Sequence, residues 1–393
     1  MPASALPVRT KNKRLPILYA LGLLLAFSTA LPAYIQSNFL EQFVSLERVS
    51  LFFMAGNFLT MAAILAFPRL IKELSNNFLT KIVLIAFFVS SLWLSMAASA
   101  ASALGALIFF VIATNLIWIN MDFLVESFSE NATTGRTRTV YFTFINAGWI
   151  ISPAFSSYLI GVGGYTLTFL VAAFFLIPFF LIFLSQEKKL VDRTVYSGEK
   201  IGSVIAKIMR DRSLRGIFAV ALLLQLFYAS AVVYVPVYLH QSLGLEWSTL
   251  GIIFSIMLVP FVLFEIPAGI AADRYLGEKE ILAAGFGILT LALFLFYYIS
   301  VPTVWIWALV LFASRTGAAL IEAMRETYFF KIVDAKDVSY INLFRITAPL
   351  AYIIGPGLAI LTLKFLPLNY IFLVMAVIML SGFYFTYSLK DTK

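Results

Sequence analysis

Three ionisable side chains stand inside long apolar runs: Glu265, Arg315 and Glu322. A charge held in hydrocarbon costs several kcal/mol, so each needs a partner, a wet cavity or a function. Glu265 precedes Asp273 by eight residues, about 12 Å along a helix, and Arg315 precedes Glu322 by seven, about 10 Å. That spacing puts a carboxylate and a guanidinium at similar depth on different segments. Two chemistries are open. In one, Glu265 couples to protons, and its protonation frees Arg315 for an anionic substrate or a conformational switch. In the other, a static ion pair locks two helices, with Glu322 as the second candidate partner of Arg315.

The stretch from Glu265 to Lys279 carries a second chemistry. It runs Glu-Ile-Pro-Ala-Gly-Ile-Ala-Ala-Asp-Arg-Tyr-Leu-Gly-Glu-Lys and reads as a tight turn between two membrane helices. Gly269 would let another backbone approach, Asp273 would offer its carboxylate to a helix N-terminus, and Gly277 would allow a turn with positive φ. Asp273 and Arg274 read as a gate latch that can bridge to Glu322 or Glu326. Asp122, Glu126, Arg325 and Arg345 fall near helix ends and read as boundary networks, and Lys364 as a snorkelling anchor.

Other chemistries find no residues to carry them. His240 is the one histidine, cysteine is absent, and no carboxylates cluster at ligand spacing, so neither a metal nor a cofactor is expected. No phosphate loop of the form G-x-x-x-x-G-K-[ST] appears, which argues against ATP-driven pumping. No nucleophile–base pair suggests an enzyme. Asn131-Ala132-Thr133 matches a glycosylation sequon, but it falls on the side assigned below to the cytoplasm.

These groups are embedded in a chain that is 62% hydrophobic and 12% charged over 393 residues. The mean hydropathy is +0.95. A soluble domain carries about a quarter charged residues, so this is a polytopic, all-α membrane protein. Twelve apolar runs of about 20 residues can each cross a bilayer. They lie near 15–35, 49–67, 82–100, 103–121, 140–160 and 167–184, then near 217–239, 250–272, 281–300, 304–324, 341–363 and 368–389. Short connections at 101–102 and 161–166 force antiparallel neighbours.

Lysine and arginine set the expected orientation. With the N-terminus inside, the outer segments hold only Arg48 and Lys364, and every other basic connection is cytoplasmic. Both termini are therefore expected in the cytoplasm, with the chain in the plasma (inner) membrane. The same bias accounts for the net charge of +8 without any nucleic acid. The basic segment 1–14 leads directly into the first span and reads as a tail whose neighbouring span serves as its insertion signal. The organisation expected is a tail at 1–14, a six-helix bundle at 15–185, a linker at 186–215, a second bundle at 216–389 and a tail at 390–393. Within the linker Ile201, Val204, Ile205, Ile208 and Met209 have helical spacing, amid Lys200, Lys207, Arg210 and Arg212. That pattern fits either an amphipathic helix on the inner leaflet or a solvated tether.

The halves repeat. Trp149-Ile150-Ile151-Ser152-Pro153 matches Tyr352-Ile353-Ile354-Gly355-Pro356, and Phe169-Leu170-Val171 matches Phe372-Leu373-Val374 at the same offset. Pro32-Ala33-Tyr34 matches Pro236-Val237-Tyr238 one residue further apart. Duplication of a six-span unit leaves the copies parallel, related by an axis along the membrane normal.

Twelve spans, this parallel repeat, the long linker and the G-x-x-x-D-R-x-x-G spacing of Gly269, Asp273, Arg274 and Gly277 together resemble the major facilitator superfamily. The first-half counterpart of the loop, Phe67-Pro68-Arg69-Leu70-Ile71-Lys72-Glu73, lacks its acid and its glycines. The stretch from Gly148 to Ser157 is similar to the glycine-rich signature of drug/proton antiporters, with serine at three glycine positions, which weakens an efflux reading.

The resemblance implies alternating access around a central cavity lined by spans 1, 4, 7 and 10, with 2, 5, 8 and 11 beside them. It makes Asn115, Asn146, Gln225, Tyr228 and Arg315 candidate substrate contacts, each with interhelical hydrogen bonding as the alternative. Prolines 32, 153, 236, 260, 267, 349 and 356 would kink those helices. The expected function is secondary active transport of a small organic solute by a monomer, coupled to protons, with efflux of an amphiphilic compound as the favoured direction. The alternatives are an uptake or exchange carrier for an anionic solute, and a non-transporting receptor or scaffold.

Overall fold

The computed structural model describes residues 14–128, 134–190, 201–333 and 338–390. The expected tails, the linker segment 191–200 and the Asn131–Thr133 sequon lie outside the described residues, residues 14 and 390 excepted. Within a bilayer every backbone N–H and C=O must be satisfied internally, so each apolar run closes on itself as a helix. In order these are α1 (Leu15–Ala33), α2 (Gln36–Glu41), α3 (Leu46–Leu74), α4 (Asn76–Ser95), α5 (Ala100–Ser127), α6 (Thr134–Phe174) and α7 (Leu176–Gln186). There follow α8 (Ile201–Arg210), α9 (Arg212–Val237), α10 (Trp247–Arg274), α11 (Glu278–Tyr298), α12 (Val304–Ile332), α13 (Val338–Leu363) and α14 (Tyr370–Ser388).

Among the described residues eleven helical runs are long and apolar enough to cross a membrane, but one of them, Val140–Lys189, is 50 residues long. At 1.5 Å per residue that is about 75 Å, more than twice a hydrocarbon core of about 30 Å. The helix breaks where a second crossing requires it. Gly163 (φ −145°, ψ 18°) and Gly164 (φ 67°, ψ −164°) leave helical geometry. Gly164 takes a positive φ that a side chain disfavours. The run therefore crosses twice, α7 completing the second passage, and the chain crosses twelve times in all. An even number returns Lys390 to the face where Arg14 begins, here the terminal face; its opposite is the far face.

The packing carries the repeat seen in the sequence. Crossing 1 packs on crossing 5 (α1 on α6) as crossing 7 packs on 11 (α9 on α13). Likewise α3 meets α5 as α10 meets α12, and α4 meets α5 as α11 meets α12. The two seams between the bundles obey the same exchange: α6 on α10 pairs crossing 5 with 8, and α13 on α3 pairs 11 with 2. Swapping the bundles turns one seam into the other, which is what a near-twofold axis along the membrane normal requires. Small residues let helices touch: a Cβ on Gly317 would stand 2.7 Å from the Gly285 carbonyl oxygen, so α11 and α12 meet backbone to backbone.

Candidate functional site

Arg315 lies midway along α12 and is 2% exposed. Its guanidinium carbon sits 4.8 Å from the ring centre of Phe227 and 5.7 Å from that of Tyr228, both on α9. Tyr34 at the end of α1, Tyr228 and Tyr352 on α13 all lie within reach of its charge. Tyr34 packs on Phe254 of α10 at 5.2 Å and meets Trp149 of α6 edge-on at 6.4 Å. Tyr352 meets Phe53 of α3 at 6.3 Å. Helices of both bundles thus wall one buried cation with aromatic rings.

The walls do not satisfy the charge. Nε and Nη1 of Arg315 have no hydrogen-bond partner among the described residues. A cation–π contact contributes about 0.5–2 kcal/mol, whereas burying an ion leaves a penalty of several kcal/mol. The arrangement is electrostatically unfinished, and an anion would finish it.

The expected meeting of Glu265 with Arg315 does not occur. The charges nearest in effect to Glu265 are Glu322 and Glu326, and it makes no ion pair or hydrogen bond among the described residues. Spacing gave its depth along α10, but the rotation of α10 turns it toward the terminal-side acids. Nor is Glu322 the partner of Arg315. It accepts a hydrogen bond from the Tyr228 hydroxyl at 2.6 Å and pairs with Arg325 at 3.5 Å.

From Glu322 a network runs toward the terminal face. Arg325 also pairs with Glu326 at 3.5 Å, and Glu326 accepts from Arg345 Nη1 at 3.0 Å. Arg345 Nε then faces Asp122 Oδ2 at 3.5 Å, an ion pair rather than a hydrogen bond. That last contact joins α13 to α5 and so bridges the bundles. Asp122, Arg325 and Arg345, read from sequence as boundary groups, form one chain that begins at the ring beside Arg315. Four carboxyls, those of Asp122, Glu265, Glu322 and Glu326, share this region with the guanidiniums of Arg325 and Arg345.

The other expected residues divide. Asn115 donates to the Val111 carbonyl of its own helix at 2.9 Å. Asn146 on α6 and Gln225 on α9 are half-buried and make no hydrogen bond among the described residues. The side chains of Asp273 and Arg274 lie outside the described residues. Gly277 takes φ 156° at the start of α11. The close approach expected at Gly269 is absent: no described atom lies within 4 Å of where its Cβ would stand.

On the far face the bundles are closed. The Ser50 and Tyr234 hydroxyls share a hydrogen bond of 2.6 Å, and the Ala154 N–H donates to Ser255 Oγ at 3.2 Å. Ser157 donates to the Trp247 carbonyl, and Gln241 donates to Glu41 at 2.6 Å. A narrow crevice between Ala30, Tyr34, Trp247 and Phe254 is what remains of the seam there.

Sequence reasoning missed Tyr34, Phe227 and Tyr352 as neighbours of Arg315. One signal was present. Tyr34 and Tyr352 each stand in a segment repeated between the halves, and the repeat partner of Tyr352 is Trp149, the residue Tyr34 touches.

Comparison with known families places this geometry. The sequence description of the Major Facilitator Superfamily matches the chain twice, over residues 25–262 and 247–393. No curated protein matches the chain.

Proposed function

Because the chain belongs to the major facilitator superfamily, we propose that it carries a small organic anion across the membrane by alternating access. The family supports membrane transport of a solute; the anion is inferred from Arg315. One observation carries the reading: a guanidinium that is buried, stacked on aromatic rings and short of acceptors on two of its nitrogens. A carboxylate or similar group would take the open N–H donors, and a charge-assisted hydrogen bond is about twice as strong as a neutral one. Tyr34, Phe227, Tyr228 and Tyr352 would hold an apolar or aromatic body. Asn146 and Gln225 supply further donors for polar substituents, while Asn115 is engaged with its own helix.

The far-face contacts favour the terminal face as the side of solute exchange, once the Arg345–Asp122 pair that joins the bundles there is released. The lysine and arginine bias supports a cytoplasmic terminal face, and a plasma-membrane location is part of the same proposal. Proton coupling fits the terminal-side network, where Glu265 makes no ion pair among the described residues and lies near Glu322 and Glu326. A proton on Glu265 lowers its repulsion of Glu322 and Glu326, tightening their hold on Arg325 and Arg345. Asp273 and Arg274 remain a latch proposal for the same face.

The test is thermal stabilisation of the purified protein by benzoate and octanoate, compared with benzylamine, octylamine and benzyl alcohol. A ligand at ten times its Kd adds about 1.4 kcal/mol, so the anions should raise the melting temperature and Arg315→Gln should abolish the rise. Equal stabilisation by the amines, or an unchanged response in Arg315→Gln, overturns the reading. In proteoliposomes Glu265→Gln should retain benzoate binding and lose acceleration by a pH gradient. Unchanged acceleration removes Glu265 from coupling.

A further inference from the structure

The helix between the bundles has two apolar edges and only one is covered. At 100° per residue, Val204, Ile208, Ile201, Ile205 and Met209 form one continuous arc on α8. Val204 and Ile208, 0% and 7% exposed, pack toward α9 and α13. Ile201, Ile205 and Met209 are 39%, 47% and 57% exposed. Ser203 and Arg210 lie on the opposite side, exposed.

The connection to α9 fixes the depth of this helix. Only Asp211 separates the two, in extended backbone, and its carboxylate caps α9 by accepting from the N–H groups of Ser213 at 2.8 Å and Leu214 at 2.9 Å. Arg215 closes the corner by donating to the Met209 carbonyl at 3.1 Å. Since α9 crosses the bilayer, a helix ending one residue before it lies at the membrane boundary of the terminal face. The exposed Tyr384 and Tyr387 of α14, which packs on α9, mark the same boundary with interfacial aromatics.

Charge names the occupant. Arg212 and Arg215 stand in the first turn of α9, where the helix dipole disfavours cations, and that turn holds no acid beyond its cap. With Arg210 they put three arginines beside Asp211 within the six residues 210–215. Arg215 serves the corner through the Met209 carbonyl, while Arg210 and Arg212 are exposed and make no ion pair among the described residues; negative headgroups would pair them.

We propose that α8 seats its second apolar edge in the leaflet on the terminal face and that Arg210, Arg212 and Arg215 bind anionic phospholipid headgroups there. The helix rests on α9, which carries Phe227 and Tyr228, and on α13, which carries Tyr352 and Arg345. This seating does not depend on which solute the chamber around Arg315 takes.

The chain has no cysteine, so single-cysteine probes report cleanly. Ile205→Cys, Met209→Cys and Ser203→Cys, each labelled with bimane, are reconstituted in phosphatidylcholine vesicles with and without one-third phosphatidylglycerol. Brominated lipid should quench the probes at 205 and 209 and iodide should not, with the reverse at 203. Phosphatidylglycerol should increase lipid quenching at 205 by about twofold, and Arg210→Gln/Arg212→Gln should remove the increase. Iodide access at 205 and 209 equal to that at 203 overturns the seating. Quenching independent of phosphatidylglycerol overturns the role given to anionic headgroups.

Discussion

On the proposed reading, Arg315 sets stability against function at a single residue. Its contacts with Phe227 and Tyr228 recover part of the cost of burying it, and its two unbonded nitrogens leave the rest unpaid. Replacing a buried charge by an apolar side chain of similar length is often stabilising by about 1–4 kcal/mol. Arg315→Met should therefore unfold later than the parent without ligand, by roughly 1–3 kcal/mol, while losing benzoate binding. Denaturation of the two proteins in detergent checks this, and a less stable Arg315→Met would make the arginine a structural support. The ring of Tyr228 faces Arg315 while its hydroxyl holds Glu322, so on the proposed reading this residue separates binding from movement. Tyr228→Phe keeps the ring and breaks the link to the ion network, so benzoate affinity should stay within about threefold while exchange slows about tenfold, equivalent to 1.4 kcal/mol on the barrier. Parallel losses of both would place the hydroxyl on the solute. The arginine was legible in sequence because a charge in an apolar run stands out. Its aromatic walls were not, since 39 Phe and 18 Tyr serve lipid-facing and chamber-facing positions alike.

At the scale of the elements, the far-face seam depends on glycine at a place the hydropathy pattern does not mark. A Cβ on Gly251 of α10 would stand 2.5 Å from Ser157 Cβ and 3.0 Å from the Pro153 carbonyl oxygen, both on α6. Gly251→Val should wedge these helices apart and open the crevice beside Ala30. An Ala30→Cys reporter should then react faster with a membrane-impermeant thiol reagent than in the Gly251 parent; an unchanged rate would mean that this seam is not a gate. Gly164 works differently. Nothing lies within 4 Å of its Cβ position, so Gly164→Ala pays only for positive φ, about 1–2 kcal/mol, while Gly161→Ala, equally uncrowded, should be neutral or slightly stabilising. Equilibrium unfolding of the pair isolates the backbone term. The crossings themselves were legible, because a bilayer imposes both length and composition on each. The short α2 was not, since six residues between two apolar runs show no period. The facing of α10 was hidden too, because spacing along a helix fixes depth and says nothing of rotation until the neighbours are known.

For the whole molecule, the proposed alternating access needs the two bundles to rock against each other as bodies, so that closing the seams at the far face loosens them at the terminal face. The far-face closure includes a titratable contact. Glu41, half-buried outside the spans, accepts from Gln241 of the other bundle, and burial raises its pKa to about 7 from an ordinary 4.5, the amide opposing only part of that rise. Among the described residues the groups facing it are Gln241 beyond α9 and Tyr165 of α6, whose ring meets Trp247 at 6.3 Å; His240 meets Trp247 at a tilt, with ring centres 4.8 Å apart. Opening would solvate Glu41 and return its pKa toward the ordinary value. The closed state thus binds a proton that the open state releases between those two values. Closure is favoured fully at low pH, and that contribution is lost as pH rises through about 7. Spin labels on Gln42→Cys and Ser242→Cys, one on each bundle, should move apart as the pH is raised from about 5 to about 8. Glu41→Gln, which stays neutral, should flatten the change, and His240→Gln should leave it in place. A distance that is the same at both ends of that range would remove Glu41 from the closure, and a change that survives Glu41→Gln would assign the titration to another group.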